Sequence, residues 1–383
     1  MLDILFHPLV IAFILSAAVV AIVPGVCSYL IFAERKIAAW TQDRIGPNRV
    51  GPWGLFQPIA DGLKFLFKEQ VVPDHVNKVL YFLAPGIASL TTLLAFAVVP
   101  FGPTSPQPGA FQWVIAPGVD IGILYIFGIG SLAVYAIILG GWASNNKYSL
   151  LGALRSSAQV ISYEIPLGMA VLGVILLTGS LNLEDILHQQ AQGLWHWNIW
   201  TQPLACLIFL TAALAETNRL PFDLPECEQE LIGGFHTEYS ALKFGLFFLG
   251  EYTHMITVSF LLTILFFGGW HFPGLTDLTP DTVGTAALKF IVLFGKVSIA
   301  IFLIMLIRWT LPRFRFDQLM GMAWKVLIPL ALMNFVCVMF VKHFGWPHWL
   351  LTLTSAALFV VPAFLATQPM GAGRRKRVTA LAA

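Results

Sequence analysis

Apolar residues run along this chain in long blocks rather than in stripes. Near residues 8–32, 79–100, 121–143, 157–179, 199–217, 244–270, 286–307, 323–341 and 348–367 each block is continuous enough for a helix to cross a hydrocarbon core of ~30 Å at ~1.5 Å per residue. The pattern predicts an all-α fold, a polytopic transmembrane helix bundle of about nine spans, the last two parted only by a short linker around Gly345 to Pro347. One segment reads differently. Phe56, Ile59, Ala60, Leu63, Leu66 and Phe67 recur at helical spacing while Asp61, Lys64 and Lys68 fall on a polar stripe, which predicts an interfacial amphipathic helix in the first inner loop. Such a helix either closes the loop or forms one wall of a cavity opening from the bilayer edge. Pro47, Gly51, Pro52 and Gly54 just before it make a stiff, turn-rich approach.

Composition agrees with a membrane setting: 57% of residues are hydrophobic, 11% are charged, and the mean hydropathy is +0.78. The bases set the orientation. With the N-terminus outside, all of the 22 Lys and Arg except Lys289, Lys296 and Lys342 fall on the inner side. The first span lacks a basic leader and a cleavage site, so it is expected to be retained. The chain reads as a single integral membrane domain with inner loops 34–78, 142–156 and 217–243 and a basic C-terminal tail, 368–383. Arg374, Arg375, Lys376 and Arg377 in that tail suit lipid headgroups, and no nucleic-acid partner is expected. Cys27, Cys206, Cys227 and Cys337 form no CxxC, and of the histidines only His254 lies well inside a span, so neither an iron–sulfur cluster, a structural zinc nor a haem pair is encoded. The GxGxxA match at Gly128 to Ala133 sits in an apolar helix with no strand before it, and there is no Walker loop. A redox centre or nucleotide site belonging to this chain is therefore not expected.

Ionisable groups inside spans cost ~2.5–3.5 kcal/mol on insertion scales and must face protein or water. Glu164, Glu216 and Glu251 fall in the inner halves of the fourth, fifth and sixth spans. Singly, each reads as a structural hydrogen-bonding group; together, on packed helices, they make a row that could pass protons through water. Lys296, near the middle of the seventh span, is their natural cationic counterpart, either as a fixed counter-ion or as a titrating relay group. His254, one turn after Glu251, reads as a polar helix contact in preference to a relay member. The third inner loop carries Asp223, Glu226, Glu228, Glu230 and Glu238 with little base besides Arg219, and Pro221 and Pro225 hold its shape.

Four runs are specific enough to compare with a known family: Glu34 to Glu69, Gly141 to Glu164 (GWASNNKYSLLGALRSSAQVISYE), Ala215 to Leu231 (AETNRLPFDLPECEQEL) and His236 to Tyr252 (HTEYSALKFGLFFLGEY). In this order they closely resemble the quinone-site membrane subunit of the bacterial NADH:quinone oxidoreductase, respiratory complex I. The resemblance implies a subunit where the membrane arm meets the peripheral arm, in a bacterial plasma (inner) membrane, with the C-terminus cytoplasmic if there are nine spans. It implies a lipid-soluble quinone substrate, ubiquinone or menaquinone, entering from the bilayer and not covalently bound. FMN and iron–sulfur clusters would belong to partner subunits, among them the peripheral-arm quinone-site subunits, with small membrane subunits alongside and lipid around.

On that pattern Glu34, Arg35, Lys36 and Arg44, with Asp61 and Lys64, border the quinone chamber. Glu164, Glu216 and Glu251 match the family's proposed proton path, and Asp223, Glu226, Glu228 and Glu230 match its acidic third loop. Some members are credited with an acid in the third span; here residues 121–143 have none, leaving Tyr135 and water in that place. Two other readings differ in partner or class. A homologous subunit of a membrane-bound hydrogenase need not admit quinone, although the turn GPNRVGP at Gly46 to Pro52 favours the quinone branch. A stand-alone proton-coupled transporter would be expected to show internal repeats and broken helices, and the sequence shows neither.

Overall fold

A computed structural model describes residues 8–102, 113–224, 231–276 and 283–367. Its helices are α1 Pro8–Thr41, α2 Gln57–Phe67, α3 Lys78–Leu94, α4 Gly122–Ala143, α5 Lys147–Thr178, α6 Leu183–Gln190, α7 Asn198–Thr201, α8 Pro203–Glu216, α9 Ala241–Phe266, α10 Val283–Thr310, α11 Phe316–Met322, α12 Ile328–His343 and α13 Trp349–Thr367. No strand occurs among the described residues, so the all-α reading holds. Among the described residues seven helices are long and apolar enough to cross a membrane: α1, α3, α4, α5, α9, α10 and the rod Phe316–His343, in which a π-helical stretch, Ala323–Leu327, joins α11 to α12.

The count of nine is not reached. The expected fifth and ninth spans are shorter apolar helices, Pro203–Glu216 and Trp349–Val360. The fifth is also broken. Pro203 disfavours helical geometry at the residue before it, and Gln202 has φ −133° and ψ 60°, so α7 and α8 are separate pieces where the sequence had shown no broken helix. The break lies at the far end of α8 from Glu216, about 20 Å away at ~1.5 Å per residue.

Two inner loops are shorter than expected. α1 continues to Thr41, so Glu34, Arg35 and Lys36 ride on its last turns, and the second loop shrinks to the turn between Ala143 and Lys147. Glu, Lys and Arg are good helix formers, so a change in polarity alone does not end a helix. Geometry does: the Asn146 side chain caps α5 by accepting the Tyr148 N–H, and Gly179 closes it at φ 79°.

α9 is the axis of the bundle. In its most apolar 18-residue window 78% of residues are buried, against 11% in α1, which places α1 on the rim and α9 at the centre. Lipid is as apolar as leucine, so close packing at small residues rather than water exclusion holds such helices together. Gly250 of α9 approaches the Ala88 carbonyl of α3, and Gly152 of α5 lies against the Gly234 backbone in the third inner loop. The carbonyls at the C-terminal end of α9 have no partners within the helix and are met by side chains: Gln190 donates to Ile264 O at 2.8 Å and Asn198 to Leu265 O at 2.8 Å.

α2 is amphipathic, with a difference in which face turns inward. Ile59, Leu63, Leu66 and Phe67 point away from the protein, Phe67 being 85% exposed, as suits contact with lipid. Of the polar stripe Asp61, Lys64 and Lys68, Asp61 turns onto α1, where it pairs with Arg35.

Candidate functional site

Two groups of cavities open near the C-terminal ends of α1, α8 and α10 and the N-terminal half of α9. The first is built around Glu34, which is 6% exposed on α1. Tyr252 of α9 donates its hydroxyl to Glu34 Oε2 at 2.7 Å, Arg219 donates to the same oxygen at 3.0 Å, and Arg308 of α10 pairs with Oε1. The Arg219 guanidinium also lies over the Tyr252 ring, 4.1 Å from its centroid. One carboxylate thus pairs with two guanidinium groups, offsetting part of the cost of desolvating them.

Beside this cluster is a cavity of about 450 Å³, lined by Glu34, Arg35, Arg44, Tyr252, Arg308 and Trp309 among others. A second cavity, of about 280 Å³, adjoins it and shares Ile31, Arg35 and Phe248 with it; its further walls include Phe65, Phe244 and Leu249, and Asp61 of α2. Arg35 donates to Asp61 at 2.7 Å at the junction, and Gln57 donates to the other Asp61 oxygen at 3.1 Å. The pair of cavities therefore runs from an aromatic-lined compartment under α2 to an arginine-rich one. Of the residues predicted to border a chamber, Glu34, Arg35, Arg44 and Asp61 line these cavities. Lys36 sits over the Phe32 ring at 5.6 Å, and Lys64 is exposed on α2; neither lines them.

The second group depends on how α8 ends. Asn218 adopts φ 48°, a left-handed conformation that Asn tolerates; its N–H bonds to Ala215 O at 3.3 Å and the Arg219 N–H to Leu214 O at 3.2 Å, the double bond of a Schellman cap. Gln159 of α5, fully buried, fixes this turn by donating to Ala215 O and Phe222 O, each at 2.9 Å. The cap leaves Glu216 on the last turn of α8, with its Oε1 3.3 Å from His254 Nε2 on α9. Ser131 of α4 donates to Glu164 of α5. Glu216 and Glu251 line a cavity of about 70 Å³, and a smaller one of about 20 Å³ lies beside it. The packing thus brings the three carboxylates to one region.

Asp223, after the cap, pairs with Arg313 at 3.4 Å. Burial pushes its carboxyl up to about 6 and the negative field of Glu251 adds to this, while Arg313 and Arg219 oppose it. Glu226, Glu228 and Glu230 lie outside the described residues, as does the basic tail. Glu238 accepts a 2.6 Å hydrogen bond from Asn146 and, through its carbonyl, another of 2.6 Å from the Tyr81 hydroxyl. Lys296 stands apart from the row. Its ammonium donates to Phe267 O and His271 O, both at 2.7 Å, and lies over the Trp197 ring at 4.2 Å, beyond the C-terminal end of α9. That is roughly 20 Å along the helix from His254 at ~1.5 Å per residue, too far for the counter-ion to the carboxylates that its position in the sequence suggested.

Sequence reasoning missed Arg308, Tyr252, Gln159 and Ser131 as partners. Arg308 carried a usable signal, being a base at the inner end of a span at the same depth as Glu34. Tyr252 and Gln159 carried none.

A polytopic helical membrane protein with a buried acid–base network near one end of its bundle is the class this geometry defines. The chain belongs to the NADH dehydrogenase family, whose sequence model matches residues 13–339. It is 47% identical over 323 residues to an NADH-quinone oxidoreductase H subunit of Cytophaga hutchinsonii, covering 84% of this chain and 94% of the relative. It is 50% identical over 324 residues to the NADH-quinone oxidoreductase H subunit of Leptospira biflexa, covering 81% and 88%. With the NADH-quinone oxidoreductase subunit 8 of Rhodothermus marinus it shares 47% identity over 319 residues, covering 81% and 91%.

Proposed function

We propose that this chain is the membrane subunit of a proton-translocating NADH:quinone oxidoreductase, that it encloses part of the quinone chamber, and that it couples quinone reduction to proton movement. The observation that carries the reading is a pair of neighbours on α9. Tyr252 lines the arginine-rich cavity while Glu251 lines the carboxylate cavity, so one helical segment serves both.

A quinone has a polar ring and an apolar tail. The aromatic compartment under α2 suits the tail, and the remaining guanidinium N–H groups of Arg35 and Arg308 supply donors for the ring oxygens; the larger cavity falls within the usual ~300–1,000 Å³ of small-molecule sites. Reduction of the ring creates a demand for two protons where water is scarce. Asp223, with its carboxyl near 6, is placed to change charge in response, and the row Glu251, Glu216 and Glu164 extends from it into the bundle. Electrons would arrive from FMN and iron–sulfur clusters in peripheral-arm subunits docked on the inner loops, in a bacterial plasma membrane with the N-terminus outside. The outward apolar stripe of α2 would rest in the lipid.

Photoaffinity labelling of the assembled complex with an azidoquinone tests the site: adducts are expected in peptides of α1, α2 and α9, and labelling confined to other subunits would refute it. Glu216→Gln in the same complex is expected to abolish quinone-coupled proton pumping; a variant that assembles and pumps fully counts against the coupling role.

A further inference from the structure

His254 is the only basic side chain among the described residues that line the two small cavities. Both cavities share Thr92, Gly130, Glu216 and His254, so the Glu216–His254 pair stands as the partition between them. Each cavity, at about 70 and 20 Å³, exceeds the ~10–15 Å³ that one water needs. The pair is enclosed, with 18% of the His254 side chain and 10% of the Glu216 side chain exposed. The ring interacts electrostatically with Glu216 first and with Glu164 second, and Glu251 precedes it by one turn on α9. From α3 and α4, Thr92 and Gly130 line the same cavities and Ser131 is engaged on Glu164, so neither helix adds an acid to that lining.

We propose that His254 is a proton-holding member of this row, taking the proton that Glu216 releases and passing it toward Glu164. The inference rests on the proposed function above and adds to it a residue whose geometry differs from a passive contact, because a base between two carboxylates lets a proton leave one before the other is free to accept it. In the uptake step the O–H bond of protonated Glu216 breaks and an N–H bond forms at His254 Nε2, leaving a carboxylate beside an imidazolium. In the release step one ring N–H bond breaks and an O–H bond forms on Glu164 through a cavity water, which accepts one proton and gives up another. The ring ends neutral and Glu164 ends protonated. His254 thereby occupies, between α8 and α5, the place where α4 supplies only Gly130 and Ser131.

The test uses the whole complex in its membrane, with His254→Asn, His254→Lys and Glu216→Gln variants, assembly being read on native gels. His254→Asn is expected to lower quinone-coupled proton pumping at least fivefold and to remove one limb of its pH profile, whereas His254→Lys, which keeps a base, restores pumping with the profile displaced to higher pH. Pumping by His254→Asn with the wild-type profile overturns the proposal. So does a uniform loss that leaves the profile's shape unchanged, or a lysine variant no better than the asparagine one. His254→Gln replaces the asparagine variant if the latter does not assemble. Glu216→Gln separates the two readings: if it stops pumping while His254→Asn does not, only this inference fails, and if neither matters the proposed function fails with it.

Discussion

Tyr252 donates its hydroxyl to Glu34 at 2.7 Å, joining α9 to α1 across 218 residues of sequence. Because Glu34 also holds the buried Arg219 and the half-buried Arg308, Glu34→Gln removes an ionised partner from both, and it is expected to lower stability by about 3–5 kcal/mol. Tyr252→Phe removes the bond to Glu34 and the longer one accepted from Arg219 at 3.4 Å, yet leaves the ring under Arg219, and should cost ~2 kcal/mol. Thermal unfolding in detergent would rank the two, and an equal or reversed ranking would show that Glu34 does not hold the cluster.

For Asp223 the expected dependence runs with acidity. A carboxyl raised from 3.8 to about 6 favours the folded state fully below about pH 4, and that contribution is lost as the pH rises through about 6. Asp223→Asn should therefore gain on the wild type as the pH rises from about 4 to about 6, by at most ~3 kcal/mol, with little further change on either side. Unfolding midpoints across this range give the answer, and a pH-independent offset would show that the carboxyl is not perturbed.

Lys296→Met removes two short bonds to the carbonyls of Phe267 and His271 and should destabilise the C-terminal end of α9 by roughly 3–5 kcal/mol. Lys296→Arg should recover part of this. If Lys296 is a pin rather than a relay, coupled activity per assembled complex keeps the wild-type pH profile in both variants; a displaced profile would return it to the proton path.

A methyl group at Gly152 would sit 2.6 Å from the Gly234 Cα, backbone against backbone. Gly152→Ala is expected to part α5 from the third inner loop at a cost of about 1–3 kcal/mol. Faster proteolysis between Gly233 and Tyr239 would report the separation, and an unchanged cleavage rate would argue that the contact is slack.

The spans and the amphipathic helix could be read from the sequence because hydrophobic blocks and a 3.6-residue stripe are local patterns. Helix ends were read less well. Glu34 to Lys36 looked like loop because charge began there, although those residue types extend helices readily. Pro203 did signal the break in the fifth span, but the apolar run on both sides hid it. At the site, Glu164, Glu216 and Glu251 could be singled out one by one, since a carboxylate in an apolar block is conspicuous. What Glu34 binds could not, because Arg219 lies 185 residues away and only the packing of α1 against α9 and α10 brings the partners together. Lys296 looked like part of the row for the same reason in reverse: a linear sequence shows approximate depth in the membrane but not which neighbour a side chain meets.

The Schellman cap at the end of α8 has a mechanical consequence. Arg219, three residues beyond Glu216, is moored to Glu34, so the turn that aims Glu216 at His254 is anchored in the wall of a different compartment. Any guest that draws the Glu34 carboxylate toward itself slackens that mooring. News of its arrival can then reach the acid at the foot of α8 along a single peptide turn, with no helix having to slide.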